Sequence, residues 1–210
     1  MAERNYKLAD FRAIKLSGRH DVIVTTGSEE SVRAEGDEES LDELDVAASG
    51  GTLTIRNRRH GLFGSRRRGG AVTIHVAMPE LRRAAIAGSG DIRVDRVAGK
   101  SFEGAIAGSG DISIDVMEVD DANFAIAGSG DIKAAGRATR AGLRIAGSGD
   151  GDLSGLIAEE VDISIKGSGD VRAHATGTAR VCVKGSGDVD LAGGAKCTIN
   201  QAGSGSVRCS

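Results

Sequence analysis

Six aspartates recur at nearly fixed intervals: Asp91, Asp111, Asp131, Asp150, Asp170 and Asp188. Each follows a Gly-Ser-Gly tripeptide, and these tripeptides begin at Gly88, Gly108, Gly128, Gly147, Gly167, Gly185 and Gly203. The spacings are 20, 20, 19, 20, 18 and 18 residues, and the seventh copy carries Ser206 in the aspartate slot. A carboxylate repeated in this way has three chemistries open to it. It accepts hydrogen bonds from backbone N–H groups, or from the serine of its own or the next repeat. Carboxylates stacked about 4.8 Å apart repel by roughly 1 kcal/mol per neighbouring pair in water, and a calcium ladder would relieve that repulsion. Two carboxyls about 5–5.5 Å apart also match the spacing of a retaining glycosidase. The structural role is favoured. Arg93, Lys133 and Arg172 lie two residues from their aspartates and offset the charge. The calcium-binding nonapeptide Gly-Gly-x-Gly-x-Asp is absent, and a catalytic pair occurs once amid unlike neighbours rather than in six copies.

The second constellation is basic. Arg56, Arg58, Arg59, Arg66, Arg67 and Arg68 fall within 13 residues around Leu62-Phe63, between two strand-like segments. The expected form is a long hairpin loop with an apolar tip. Such a loop would hold phosphate, acidic polysaccharide or an anionic lipid surface; its plainer reading is a solvated loop. No aromatics interleave with the arginines and no recognition helix follows, so nucleic acid is not an expected partner. His20, His60, His75 and His174 stand apart, with no pair at ligand spacing. Cys182, Cys197 and Cys209 match no zinc pattern, and an odd number argues against a fully paired disulfide framework. Cys197 and Cys209 stand in mainly apolar columns and are expected as small core residues, whereas Cys182 falls in an outward column. No catalytic residue and no cofactor are expected.

The elements that position these groups follow from the repeat. Aligned on the first glycine, the position two before it holds Ile86, Ile106, Ile126, Ile145, Ile165, Val183 and Gln201. The position four before holds Ala84, Gly104, Phe124, Leu143, Ile163, Val181 and Ile199. Four after come Ile92, Ile112, Ile132, Gly151, Val171, Val189 and Val207; six after come Val94, Ile114, Ala134, Leu153, Ala173, Leu191 and Cys209. Intervening positions are mostly small or polar. That alternation has period two, so each repeat is expected to carry two strands flanking the glycine turn. An all-β parallel β-helix (solenoid) of about 18–20 residues per coil is the fold that stacks such columns into a narrow core. Leu16-Ser17-Gly18 followed by Asp21-Val22-Ile23-Val24 is a degenerate upstream copy.

Residues 1–80 are less regular but β-rich, with strand signals at 13–16, 22–24, 53–55 and 72–76 and a short helix expected at 38–44. They are expected to form the irregular start and N-terminal cap of the solenoid, and 81–210 its regular coils, in one continuous domain. Composition agrees. Glycine is 32 of 210 residues against one proline, which excludes collagen. With one tyrosine, four phenylalanines and no tryptophan, a stacked aromatic platform for sugars or single-stranded nucleic acid is not expected. A net charge of −3 gives no global pull toward nucleic acid or anionic membrane, and no run of 18 apolar residues is present to span a bilayer.

Asp10-Phe11-Arg12-Ala13-Ile14, then His20-Asp21-Val22-Ile23-Val24-Thr25-Thr26-Gly27, Leu53-Thr54-Ile55 and the Gly-Ser-Gly-Asp repeats resemble the bacterial auto-transporter adhesin "head GIN" domain family. The resemblance extends from about Tyr6 to Val207. It implies a right-handed parallel β-helix and a role at the bacterial envelope in adhesion or scaffolding, and it carries no catalytic residues onto this chain. The departures are the arginine-rich loop and the polar start Met1–Asp10, which has no leader-like apolar core. The expected location is extracytoplasmic (periplasm or cell surface) if a leader has been removed, and cytoplasmic if Met1 is the native start.

The leading expectation is therefore a non-enzymatic adhesion or envelope-associated interaction module with an envelope or polysaccharide ligand. The alternatives are a polysaccharide-active β-helix enzyme and a cytosolic self-assembling structural protein. An uncovered strand edge at the terminal coils predicts a homo-oligomer.

Overall fold

The computed structural model describes residues 2–27, 29–58 and 70–210. The period-two alternation yields strands nearly throughout. In chain order they are β1 (Ala2–Tyr6), β2 (Ala13–Gly18), β3 (Asp21–Thr26) and β4 (Ser31–Gly36), then helix α1 (Glu38–Glu43), β5 (Leu44–Ser49), β6 (Thr52–Asn57), β7 (Thr73–Met78) and β8 (Arg83–Gly88). The repeat region continues as β9 (Ile92–Gly108), β10 (Ile112–Gly128), β11 (Ile132–Gly147), β12 (Gly151–Gly167), β13 (Val171–Gly185), β14 (Val189–Ala192), β15 (Lys196–Gly203) and β16 (Val207–Cys209). All belong to one hydrogen-bonded sheet wound into a parallel β-solenoid.

Successive coils pair in parallel with the glycine turns in register, Gly88 on Gly108, Gly128, Gly147, Gly167, Gly185 and Gly203. Leu16, Ile86, Ile106, Ile126, Ile145, Ile165 and Val183 therefore touch coil by coil in one buried column. Phe102 and Phe124 fill the interior beside the side-chain-free Gly104, with ring centroids 6.1 Å apart. One expectation needs correction. Each repeat is not two strands but one long bent strand of 15–17 residues in β9–β13. Neighbouring coils bend together, so the parallel hydrogen bonds continue around the bend. Bulges absorb differences in coil length. Between Ile114 and Met117, β10 has one residue more than β11, and Val116 is 44% exposed there.

The N-terminal part follows a permuted path. The coil of β2 and β3 lies directly against the repeats, with Gly18 opposite Gly88 and Val22 opposite Ile92. β6 and β7 form the next coil outward, parallel to β2 and β3 respectively. The spatial order of coils is thus 52–78, 13–26, then 83 onward. Over the outermost coil, β5 runs antiparallel to β6, β4 antiparallel to β7, and β1 antiparallel to β4. An antiparallel cover of this kind blunts a parallel edge. Helix α1 joins β4 to β5 and starts where Asp37 accepts the Ser40 N–H at 2.8 Å, the usual N-cap bond.

This topology corrects a second expectation. β6 and β7 do not pair with each other, so the arginine-rich stretch is not a hairpin. Its described flanks end β6 and precede β7, the two sides of one coil, beside Gly18-Arg19-His20 of the adjoining coil; residues 59–69 lie outside the described residues.

At the opposite end, β15 pairs only with β13 and β16 only with β14. Their outer edges meet no strand among the described residues, and Ile199 is 45% exposed. Cys197 and Cys209, expected as core residues, are half-buried and exposed respectively, and they form a disulfide. The two cysteines stand in columns on opposite inner walls of the narrow coil, continuing Ala179 and Leu191. Small side chains at both positions of the last coil bring the two sulfurs together. Cys182 is a free, half-buried thiol.

Candidate functional site

The glycine corners explain the aspartate ladder. In each Gly-Ser-Gly the first glycine has φ near +140°, and both glycines press against the coil before. A Cβ on Gly128 would sit 2.1 Å from the Gly108 carbonyl oxygen, and one on Gly130 2.1 Å from that of Gly110. No side chain fits either site. The serine N–H donates to the first glycine of the preceding coil, for example Ser129 to Gly108 at 2.9 Å. The aspartate's own N–H, two residues after the serine, finds its acceptor in the aspartate side chain of the preceding coil. The N–H of Asp111 donates to Asp91 Oδ1 at 2.9 Å; Asp131, Asp150, Asp170 and Asp188 each donate to the preceding aspartate at 2.8 Å. The chain begins at Asp21, which accepts from Asp91 at 3.4 Å, and ends at Ser206, whose N–H and hydroxyl both donate to Asp188. Those two Ser206 bonds, the amide first, hold the Asp188 carboxyl below the usual carboxylate range.

One oxygen of each ladder carboxylate is thus committed to folding. Among the described residues, no group of three or more His, Cys, Asp or Glu side chains comes together as a metal site. Lys133 lies 3.9 Å from Asp152 rather than paired with its expected neighbour Asp131. A groove of about 430 Å³ runs beside Asp91, Asp111, Asp131 and Asp150, with Arg93, Lys133 and Arg172 also in its wall.

Two other faces carry grooves. The first, of about 590 Å³, is polar and self-neutralised. There Arg140 binds both oxygens of Asp121, at 2.6 and 2.8 Å, and Arg180 lies 3.6 Å from Asp162 on the next coil. That Arg140 bond holds the Asp121 carboxyl low. Exposed pairs of this kind are screened by water and add little to stability.

The second groove, of about 660 Å³, was not singled out from the sequence. It lies on the outer face of the segment just before each glycine turn. Ala85 and Ala87, Ala105 and Ala107, and Ala125 and Ala127 project outward there, because their odd offsets from the glycine alternate with the buried isoleucine column. Lys15 closes one end; Arg144 and Lys166 line the other. Among the described residues none of these three cations has an ion-pair partner, and no carboxylate lines the groove. The legible signal was the run of Ala at these two columns in three successive repeats.

Of the basic stretch, Arg56 and Arg58 lie in the described part. Arg56 pairs with Asp45 at 2.8 Å across β5 and β6, and Arg58 is exposed. Arg59, Arg66, Arg67 and Arg68, with His60, Leu62 and Phe63, lie outside the described residues. His20 is buried at 2% exposure. Its Nδ1 accepts the Val72 N–H at 3.2 Å and its Nε2 contacts Asn57 Oδ1. These partners fit a neutral ring carrying its proton on Nε2. It occupies the second-glycine slot of the degenerate copy, and its ring reaches the flanks of the arginine-rich insertion.

The stacked parallel coils place the chain among the β-solenoid repeat proteins. The chain belongs to the family described as "Putative auto-transporter adhesin, head GIN domain", whose model matches residues 10–195. The family's description names an adhesin rather than an enzyme. Among solved structures, the fold is similar to that of a putative adhesin from Bacteroides fragilis, with TM-score 0.90 and 22% identity over 98% of this chain and 95% of that one. A protein from Parabacteroides distasonis described as a putative lipid binding protein has TM-score 0.73 and 24% identity, over 98% and 95%. A putative adhesin from Parabacteroides merdae has TM-score 0.75 and 19% identity, over 98% and 94%. No curated protein matches the chain. Among the described residues no helix is long and apolar enough to cross a membrane.

Proposed function

We propose that the protein is a non-enzymatic adhesion or scaffold module of the bacterial envelope, acting outside the cytoplasm. The observation that carries this reading is the set of coil-to-coil ladders, which present the same kind of residue repeatedly along rigid faces instead of assembling one set of unlike groups. The alanine-floored groove is the contact face in this reading. The Cys197–Cys209 disulfide supports an oxidising compartment. The unpaired outer edges of β15 and β16 support association of two copies through their terminal coils.

Fluorescently labelled protein should bind intact bacterial cells saturably and be competed off by unlabelled protein. Ala107→Asp combined with Ala127→Asp should remove that binding while leaving the far-UV spectrum intact. Non-saturable binding, or binding indifferent to the double variant, overturns the role of this face. Light scattering across micromolar concentrations should show a rising mass; a constant monomer mass overturns the self-association.

A further inference from the structure

We propose that the alanine-floored groove holds a single saturated acyl chain with an anionic headgroup, a ligand of the long-chain fatty acid class; the proposal rests on the reading of that face as the contact surface. The groove crosses six strand segments, from that of Lys15 in β2 to that of Lys166 in β12. Five steps between neighbouring strands make it about 24 Å long. One lipid chain spans about 15 Å, half of a bilayer's hydrocarbon core. The chain and its headgroup both fit that length.

The chemistry of the lining selects the occupant. Ala85 to Ala127 offer methyl groups and no hydrogen-bonding side chain, so a sugar laid there would lose its water partners unreplaced. An acyl chain loses nothing by leaving water, and its burial is favourable. The charges are all of one sign. Lys15, Arg144 and Lys166 have no ion-pair partner among the described residues, whereas Arg140 and Arg180 on the polar face each have one; Arg144 stands at the border of the two faces. A second copy laid face to face would bring cations against cations, which excludes self-docking at this groove. Arg144 and Lys166 lie on adjacent coils at the same end, and that end receives the carboxylate.

Titration with monomeric palmitate, followed by displacement of a fluorescent fatty acid, tests the proposal on the whole chain. Saturable one-to-one binding is expected. Arg144→Ala with Lys166→Ala should weaken it roughly tenfold by removing the headgroup partners. Replacing the carboxylate by the cationic head of hexadecyltrimethylammonium should weaken it at least as much. Arg140→Ala on the polar face should leave it unchanged. Both arginines and the lysine are exposed, so these variants test the site even if Ala107→Asp with Ala127→Asp fails to fold. Absence of saturable palmitate binding overturns the proposal, as does equal binding by the Arg144/Lys166 variant. Binding to phosphatidylglycerol vesicles without binding of monomeric palmitate also overturns it, in favour of a membrane surface. Cell binding retained without palmitate binding removes this ligand and keeps the adhesion reading; palmitate binding without cell binding does the reverse.

Discussion

From β8 to β13 each coil repeats the registers of the last, whereas residues 2–78 reach the same cross-section by a permuted path through β2, β3, β6 and β7. In the stack, two glycine corners always lie against each other and neither tolerates a Cβ. In the capped end the sequence between β6 and β7 carries no Gly-Ser-Gly tripeptide, and the neighbouring coil is released from that constraint. There the second-glycine slot holds His20, whose ring is buried and bonded. Gly18 keeps its positive φ of 133° but a Cβ on it would meet nothing closer than 3.7 Å. The inward columns, not the periodicity, define a coil. The glycines are demanded only where corner meets corner.

Alanine substitutions break this comparison most sharply. Gly130→Ala places a methyl 2.1 Å from the Gly110 oxygen and about 3 Å from Ile106 Cγ2, so whole coils must part. A loss of about 4 kcal/mol or failure to fold is expected, at the upper end for point changes. Gly50→Ala, in the β5–β6 turn, meets nothing within 4 Å and has only its φ of +57° against it. It should cost about 1 kcal/mol. Urea denaturation of both variants checks the contrast, and near-equal losses would refute the close-approach account.

The stack was legible in the sequence because each inward column recurs at the same offset from a glycine, from Ile86 to Val183. The Ser17-Gly18 to Asp21 copy was legible for the same reason, and Asp21 does start the ladder. The permuted order was not, since residues 31–49 and the arginine-rich stretch interrupt the period between one coil and the next. The disulfide was hidden because Cys197 and Cys209 belong to different columns, and only the coil's cross-section brings those columns face to face. The groove was hidden because outward alanines carry no charge or aromatic to mark them. The serines and aspartates, conspicuous in the sequence, are occupied by the backbone.

His20 is the hinge of the comparison, and His20→Ala should cost about 2–3 kcal/mol. The Val72 N–H would be left buried without its acceptor, a loss of about 1–3 kcal/mol, and the ring's packing would go too. Hydrogen exchange should rise in β6 and β7 before β10 and β11; uniform loss would show that the outer coil is not separately anchored.

The open end gives a comparable but local effect. Cys197→Ser with Cys209→Ser removes a bridge across 12 residues, worth about 3 kcal/mol on the loop-entropy model. Exchange should accelerate in β15 and β16 while the capped end keeps its protection.

The smallest effect is acid sensitivity, and it compares the two ends through their charges. In the cap, the Ser40 hydroxyl and then its amide hold Asp37 below the usual carboxylate range; at the open end Ser206 does the same to Asp188. A carboxyl whose folded pKa lies below its unfolded value of about 3.9 binds fewer protons when folded. Its contribution is therefore complete above about pH 4 and disappears as the pH falls through the folded value. Asn at position 37 keeps an N-cap oxygen and removes only the charge. The urea midpoint of Asp37→Asn should lie slightly below the parent at pH 7, and the gap should close between pH 4 and pH 2. Asp188→Asn should behave alike, since its amide oxygen still accepts the Ser206 N–H. A gap that stays constant down to pH 2 would mean that the packing of the two side chains, not their ionisation, is what Ser40 and Ser206 stabilise.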